Sequence, residues 1–96
     1  MTKEDIIEVL QKAKDEARER YRAEIMGFFS SYARGEEHPE SDLDVLVEFR
    51  EGATLLHLTG LGNFLEERLN CPVDVVSKRT VRKEIAPHIY EDLVSL

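Results

Sequence analysis

Over residues 42–49 the chain alternates: Leu43, Val45, Val47 and Phe49 point one way, and Asp42, Asp44, Leu46 and Glu48 the other. That pattern predicts a β-strand with one apolar face, which needs helices or a second sheet to cover it. Two further runs supply neighbours. Residues 25–29 read as a short buried strand, and residues 73–77 as a third, following the turn at Cys71-Pro72.

The covering elements are legible too. Over residues 2–24, Ile6, Val9, Leu10, Ala13, Ala17 and Tyr21 recur at three- and four-residue spacing among charged residues, which predicts an amphipathic helix with Thr2 and Asp5 as its capping box. The charges at positions 11–24 read as a solvated face with i,i+4 pairs. After a turn at Arg50-Glu51-Gly52, residues 54–70 predict a second helix that buries Leu55, Leu58, Leu61, Leu65 and Leu69. Gly60 and Gly62 each weaken that helix by about 1 kcal/mol relative to alanine, which points to a kink or a close contact. Ile85, Ile89, Leu93 and Leu96 predict a closing helix with Pro87 in its early part. The order helix, strand, strand, helix, strand, helix predicts a small α/β or α+β fold. Its sheet is mixed, of about three to four strands, with helices packed on it in a single domain over residues 1–96.

Size and charge narrow the function. A chain of 96 residues supports one modest core, so a large substrate must be recognised partly by another chain. The net charge of -7 opposes stable binding of free nucleic acid, whose affinity comes from Lys and Arg displacing counterions. The same acidity suits a magnesium site or a basic partner. Cys71 is the only cysteine, which excludes an intrachain disulfide or a cysteine-rich zinc site and fits a cytoplasmic protein. Neither a signal-peptide core nor a membrane-spanning apolar stretch is visible.

The chemistry concentrates around the alternating strand. Asp42 and Asp44, two apart, send both carboxylates from one face, with backbones separated by roughly 6.5 Å along the strand. Such a pair can share magnesium ions, and paired ions about 3.5 to 4 Å apart can hold a triphosphate while activating a hydroxyl. Asp74 offers a third carboxylate from the next predicted strand, between Val73 and Val75. Upstream, Ser31 presents a hydroxyl and a backbone N–H suited to phosphate, and Arg34 can add a bidentate contact. Each of these signals alone is weak.

Together they are specific. The run Gly27-Phe28-Phe29-Ser30-Ser31-Tyr32-Ala33-Arg34-Gly35, followed after a short loop by Ser41-Asp42-Leu43-Asp44-Val45-Leu46-Val47, resembles the signature of the DNA polymerase beta-like nucleotidyltransferases. The similarity is strongest to the minimal nucleotidyltransferase branch, in which a Gly-Ser pair leads to Ala-Arg-Gly and then to Ser-Asp-x-Asp. With Asp74 as the third acidic position, the resemblance runs from about residue 25 to the C-terminus.

The resemblance implies a metal-dependent transfer of AMP from ATP to a hydroxyl. Asp42, Asp44 and Asp74 would hold two Mg²⁺ ions, with Asp74 also activating the acceptor. Ser30, Ser31 and Arg34 would bind the nucleotide. Members of this branch pair with HEPN-type RNase toxins, which implies an antitoxin that adenylylates a tyrosine of such a toxin. One departure stands out: Ser30 replaces the family's glycine, and if that position requires positive φ, serine adds roughly 1 kcal/mol or more and lowers activity. The alternative is therefore a weakened enzyme that neutralises its toxin by stoichiometric binding. A homo-oligomer is left open.

Other reactive-looking residues are assigned no catalytic role. His38 reads as a loop residue, His57 and His88 as surface or helix-end residues, and Cys71 as a half-buried turn residue. Lys78, Arg79, Arg82 and Lys83 form the one basic run, facing triphosphate, RNA, an acidic partner or solvent.

Overall fold

The computed structural model describes residues 2–29 and 43–96. Helix α1 spans Lys3–Tyr21, strand β1 Ala23–Phe29, strand β2 Leu43–Phe49, helix α2 Leu55–Leu69 and strand β3 Val73–Ser77. A 3₁₀ turn over Lys78–Thr80, helix α3 Ala86–Asp92 and strand β4 Val94–Ser95 complete the described chain. The sheet has four strands in the order β3-β2-β1-β4 and is mixed: β2 and β3 run parallel, while β1 is antiparallel to both β2 and β4.

The α1 start follows from its sequence. Thr2 Oγ1 accepts the Asp5 N–H at 3.1 Å, and the Asp5 carboxylate accepts the Thr2 N–H at 3.0 Å, closing the expected capping box. Hydrogen bonds to the carboxylate from the Thr2 backbone N–H and, second, from the Thr2 hydroxyl hold the Asp5 carboxyl below its ordinary value of 3.8. A folded-state value lowered in this way contributes stability above the unfolded value, and the contribution is lost as pH falls through the folded one. Thr2→Ala is expected to lower the unfolding free energy by about 1 kcal/mol near neutral pH and to reduce this acid sensitivity, as read by urea titrations at several pH values.

The helix ends with the last residue of its apolar spacing, Tyr21, three residues before the predicted bound at 24. Arg22 takes the left-handed conformation at φ 51°, its N–H donating to Ala17, and Ala23 and Glu24 pass into β1. Extended pairing with β2 wins there, because Ala23 faces Phe49 and is fully buried. The charged face of α1 is a solvated surface with i,i+4 pairs, Glu8 with Lys12 and Glu16 with Arg20. Glu16 also bridges to Arg68 of α2 at 3.2 Å, a contact worth little in water.

One core lies between the two long helices and the sheet. Ile6, Leu10, Ala13 and Ala17 of α1 meet Leu61, Phe64, Leu65 and Leu69 of α2 above Ile25, Phe28, Leu43, Val45, Val47 and Val73. The predicted alternation of β2 holds on this face, since Leu43, Val45 and Val47 are all fully buried. Gly60 makes a close contact: a Cβ there would lie 2.8 Å from the Tyr21 ring, which packs against Phe64 with centroids 5.4 Å apart. Removing the side chain lets α1 and α2 approach at this point.

Two expectations need correction. The closing helix is only seven residues long, with Pro87 in its first turn, and the chain then straightens so that β4 pairs with β1. The spacing of Ile85, Ile89, Leu93 and Leu96 suits a helix, but β1 would otherwise present an unpaired edge, and Leu96 N–H donates to Met26 at 3.1 Å. Leu55 is not on the buried face of α2 but 77% exposed, because the core contacts of α2 begin only at Leu61; Phe64 takes part in the core instead.

Candidate active site on the second face of the sheet

The opposite face of the sheet carries the acidic residues. Leu43 and Val73 are register partners whose side chains enter the helical core, so the next residues, Asp44 and Asp74, point away from the helices. These two are themselves register partners. Neighbouring strands lie about 4.8 Å apart, so the two carboxylates leave adjacent backbone positions on one face. Asp44 is half-buried and Asp74 exposed.

Their backbones are well anchored. Leu43 N–H donates to the Pro72 carbonyl at 3.1 Å, which starts the parallel ladder one residue before the acidic pair. Val73 N–H donates to the Glu66 carboxylate of α2 at 3.0 Å, tying the start of β3 to the helix above. Glu66 carries no motif signal in the sequence: it lies on the charged side of α2, and its role depends on where β3 begins. Leu46, on the same face as Asp44, is fully buried outside the main core. The C-terminal segment approaches this face, since a Cβ on Gly27, the partner of Leu46, would lie 3.1 Å from Leu93 Cδ1.

Of the residues singled out by motif, Asp44 and Asp74 are brought together. Asp42, Ser30, Ser31 and Arg34 lie outside the described residues, as do Gly35 and His38. The residues bracketing that segment, Phe29 and Leu43, both end beside Asp44, since Phe29 is the β1 partner of Asp44. Among the described residues no group of three His, Cys, Asp or Glu side chains is placed to hold a metal ion. The donors present, two neighbouring carboxylates on one face, are hard oxygen ligands of the kind magnesium takes.

The other candidates fall elsewhere. His57 is a helix-end residue, its Nδ1 accepting the Thr54 N–H at 2.9 Å, and Cys71 is half-buried against the core. Lys78 and Arg79 follow the far end of β3, roughly 13 Å along the strand from Asp74. Lys78 faces Glu48 at 3.9 Å.

The family model described as the nucleotidyltransferase domain matches residues 10–95, which includes both carboxylate-bearing strands and all of the sheet. The chain belongs to the nucleotidyltransferase family. This nucleotidyltransferase is 38% identical over 94 residues to the protein adenylyltransferase MntA of Thermococcus cleftensis, covering 98% of this chain and 95% of that one. It is 36% identical over 94 residues to a Methanocaldococcus jannaschii protein provisionally named a protein adenylyltransferase, covering 97% and 96%. A solved structure, provisionally described as a minimal nucleotidyltransferase, matches with a TM-score of 0.74 at 34% identity over 94% of this chain and 95% of that one. A toxin–antitoxin complex with AMP-PNP shares the fold, with a TM-score of 0.69 at 20% identity over 99% and 72%.

The nucleotidyltransferase fold is thus as the motif implied: a four-stranded mixed sheet with helices packed on it. Among the described residues no helix is long and apolar enough to cross a membrane.

Proposed function

We propose that this nucleotidyltransferase transfers AMP from ATP to a tyrosine hydroxyl of a cognate HEPN-type RNase toxin and acts in the cytoplasm as its antitoxin. The observation that carries the reading is the pairing of Asp44 with Asp74 on the face away from the helices, in a chain whose relatives are named protein adenylyltransferases. The similarity to a toxin–antitoxin complex holding AMP-PNP supports a toxin partner and ATP as substrate.

In this reading Asp42, Asp44 and Asp74 hold two Mg²⁺ ions, and Ser30, Ser31 and Arg34 hold the β- and γ-phosphates. The ions, when bound, neutralise charge on the triphosphate and make the acceptor hydroxyl easier to deprotonate. The tyrosine oxygen attacks the α-phosphorus and forms a new O–P bond as the bond to the bridging oxygen breaks and pyrophosphate leaves. Asp74 takes the hydroxyl proton. The rigid parallel ladder keeps the two carboxylates in place, which limits reorganisation during transfer.

Incubation with labelled ATP, magnesium and the toxin encoded beside the gene is expected to label the toxin, and Asp42→Ala is expected to abolish labelling. A correctly folded pair that yields no label would sink the reading. Ser30, in place of the family glycine, favours a second one: inhibition by stoichiometric binding alone. That version requires toxin inhibition without ATP that survives Asp44→Ala; loss of inhibition with complex formation intact would reject it.

A further inference from the structure

The far end of the parallel strand pair carries a feature that the transfer chemistry does not use. A cavity of about 320 Å³ opens there, lined by Phe49, Ala53, Thr54, Leu55, Leu58 and Ser77. It lies beyond the end of β2, roughly 16 Å along the strand from Asp44. Leu55, which lines it, is 77% exposed, and the next residue of α2, Leu56, is 84% exposed.

Those two leucines are unfavourable in a free molecule. The first turn of a helix favours Asp or Glu, whose charge complements the helix dipole and the unpaired N–H groups, yet α2 has no acidic residue there. Large apolar side chains in water beside an apolar cavity are characteristic of a surface covered by a partner.

The charges around the cavity indicate what kind of partner. Arg50 follows the lining residue Phe49, and Lys78 and Arg79 follow the lining residue Ser77. Arg22 reaches over the Arg50–Ala53 turn, its Nη1 donating to the Glu51 carbonyl at 3.4 Å. Among the described residues Glu24, Glu48 and Glu51 are the acidic neighbours; Glu24 pairs with Arg18 and Glu48 faces Lys78, so Arg50 and Arg79 leave this end locally basic in a chain of net charge -7. The positive end of the α2 dipole adds to the same field.

We propose that this end of the molecule is a docking surface for the toxin partner, and that it receives a segment whose apolar side chain enters the cavity while flanking carboxylates face Arg50, Lys78 and Arg79. The proposal rests on the toxin–antitoxin reading above and adds to it a second contact, separate from the reacting carboxylates. Docking energy gained here holds the acceptor without altering the transfer step, so its loss raises KM for the toxin and leaves kcat unchanged.

The test uses the full chain, the toxin encoded beside the gene, labelled ATP and magnesium. The double variant Leu55→Asp, Leu56→Asp places acidic residues where a helix favours them, so its Tm is expected to hold or rise. Toxin affinity by calorimetry is expected to fall on the order of tenfold per leucine. KM for the toxin should rise in parallel, with kcat at saturating toxin and affinity for Mg-ATP unchanged. Arg50→Glu with Arg79→Glu is expected to weaken toxin binding and flatten its dependence on salt. Unchanged toxin affinity in both double variants would overturn the proposal while leaving the proposed transfer standing. A wild-type dimer that dissociates in the leucine variant, with toxin affinity intact, would also overturn it and assign the surface to a second copy of the chain. Failure of the wild-type chain to bind or label the toxin would remove both readings together.

Discussion

Asp44→Asn is expected to lower the rate of nucleotide transfer on the order of 10²- to 10³-fold while the chain stays folded. The substitution keeps the size of the side chain and removes one of two carboxylates that leave adjacent strands on one face. Two negative groups at neighbouring register positions repel each other, and a divalent cation relieves that repulsion only if both are charged. The wild-type protein is therefore expected to gain thermal stability with added Mg²⁺ and ATP, in the manner of any ligand that binds only the folded state, and the variant to gain much less. Steady-state transfer and thermal unfolding with and without Mg-ATP together read both effects. Wild-type activity in the variant would remove Asp44 from the machinery.

Gly27→Val is expected to destabilise the fold by about 1–3 kcal/mol and to release β4 from the sheet. Gly27 pairs with Ser95, and a Cβ at position 27 would overlap the Val94 carbonyl oxygen, so the β1 and β4 backbones are closer than any side chain allows. Urea denaturation gives the loss of stability. Hydrogen exchange should show faster exchange at Leu96, whose N–H is bonded to Met26, and a smaller change in α1, which shares the core that Val94 and Leu96 pack against but makes no hydrogen bond to β4. A variant with native stability and native protection at Leu96 would show that β4 is not held as described.

Both predictions depend on residues with different visibility in the sequence. Asp44 was legible because strand alternation and spacing place it beside the core positions Leu43 and Val45, and those local rules operate within a few residues. Gly27 gave no such signal, since its need for a missing side chain comes from Val94, a residue far along the chain. Gly60 is intermediate. Its cost to the helix was readable, but only the Tyr21 ring explains why a close contact, rather than a kink, accompanies it.

Local patterning was enough to establish the two long helices, the capping box of α1, the three main strands and the acidic pattern, because these follow from backbone periodicity and hydrogen bonding near in sequence. Tertiary structure alone decided that Asp74 stands beside Asp44, that the last residues straighten into β4, and that Leu55 remains in water. Strand register, open sheet edges and the point at which a helix begins to touch the core are set by which distant segments meet, and no local periodicity carries that information.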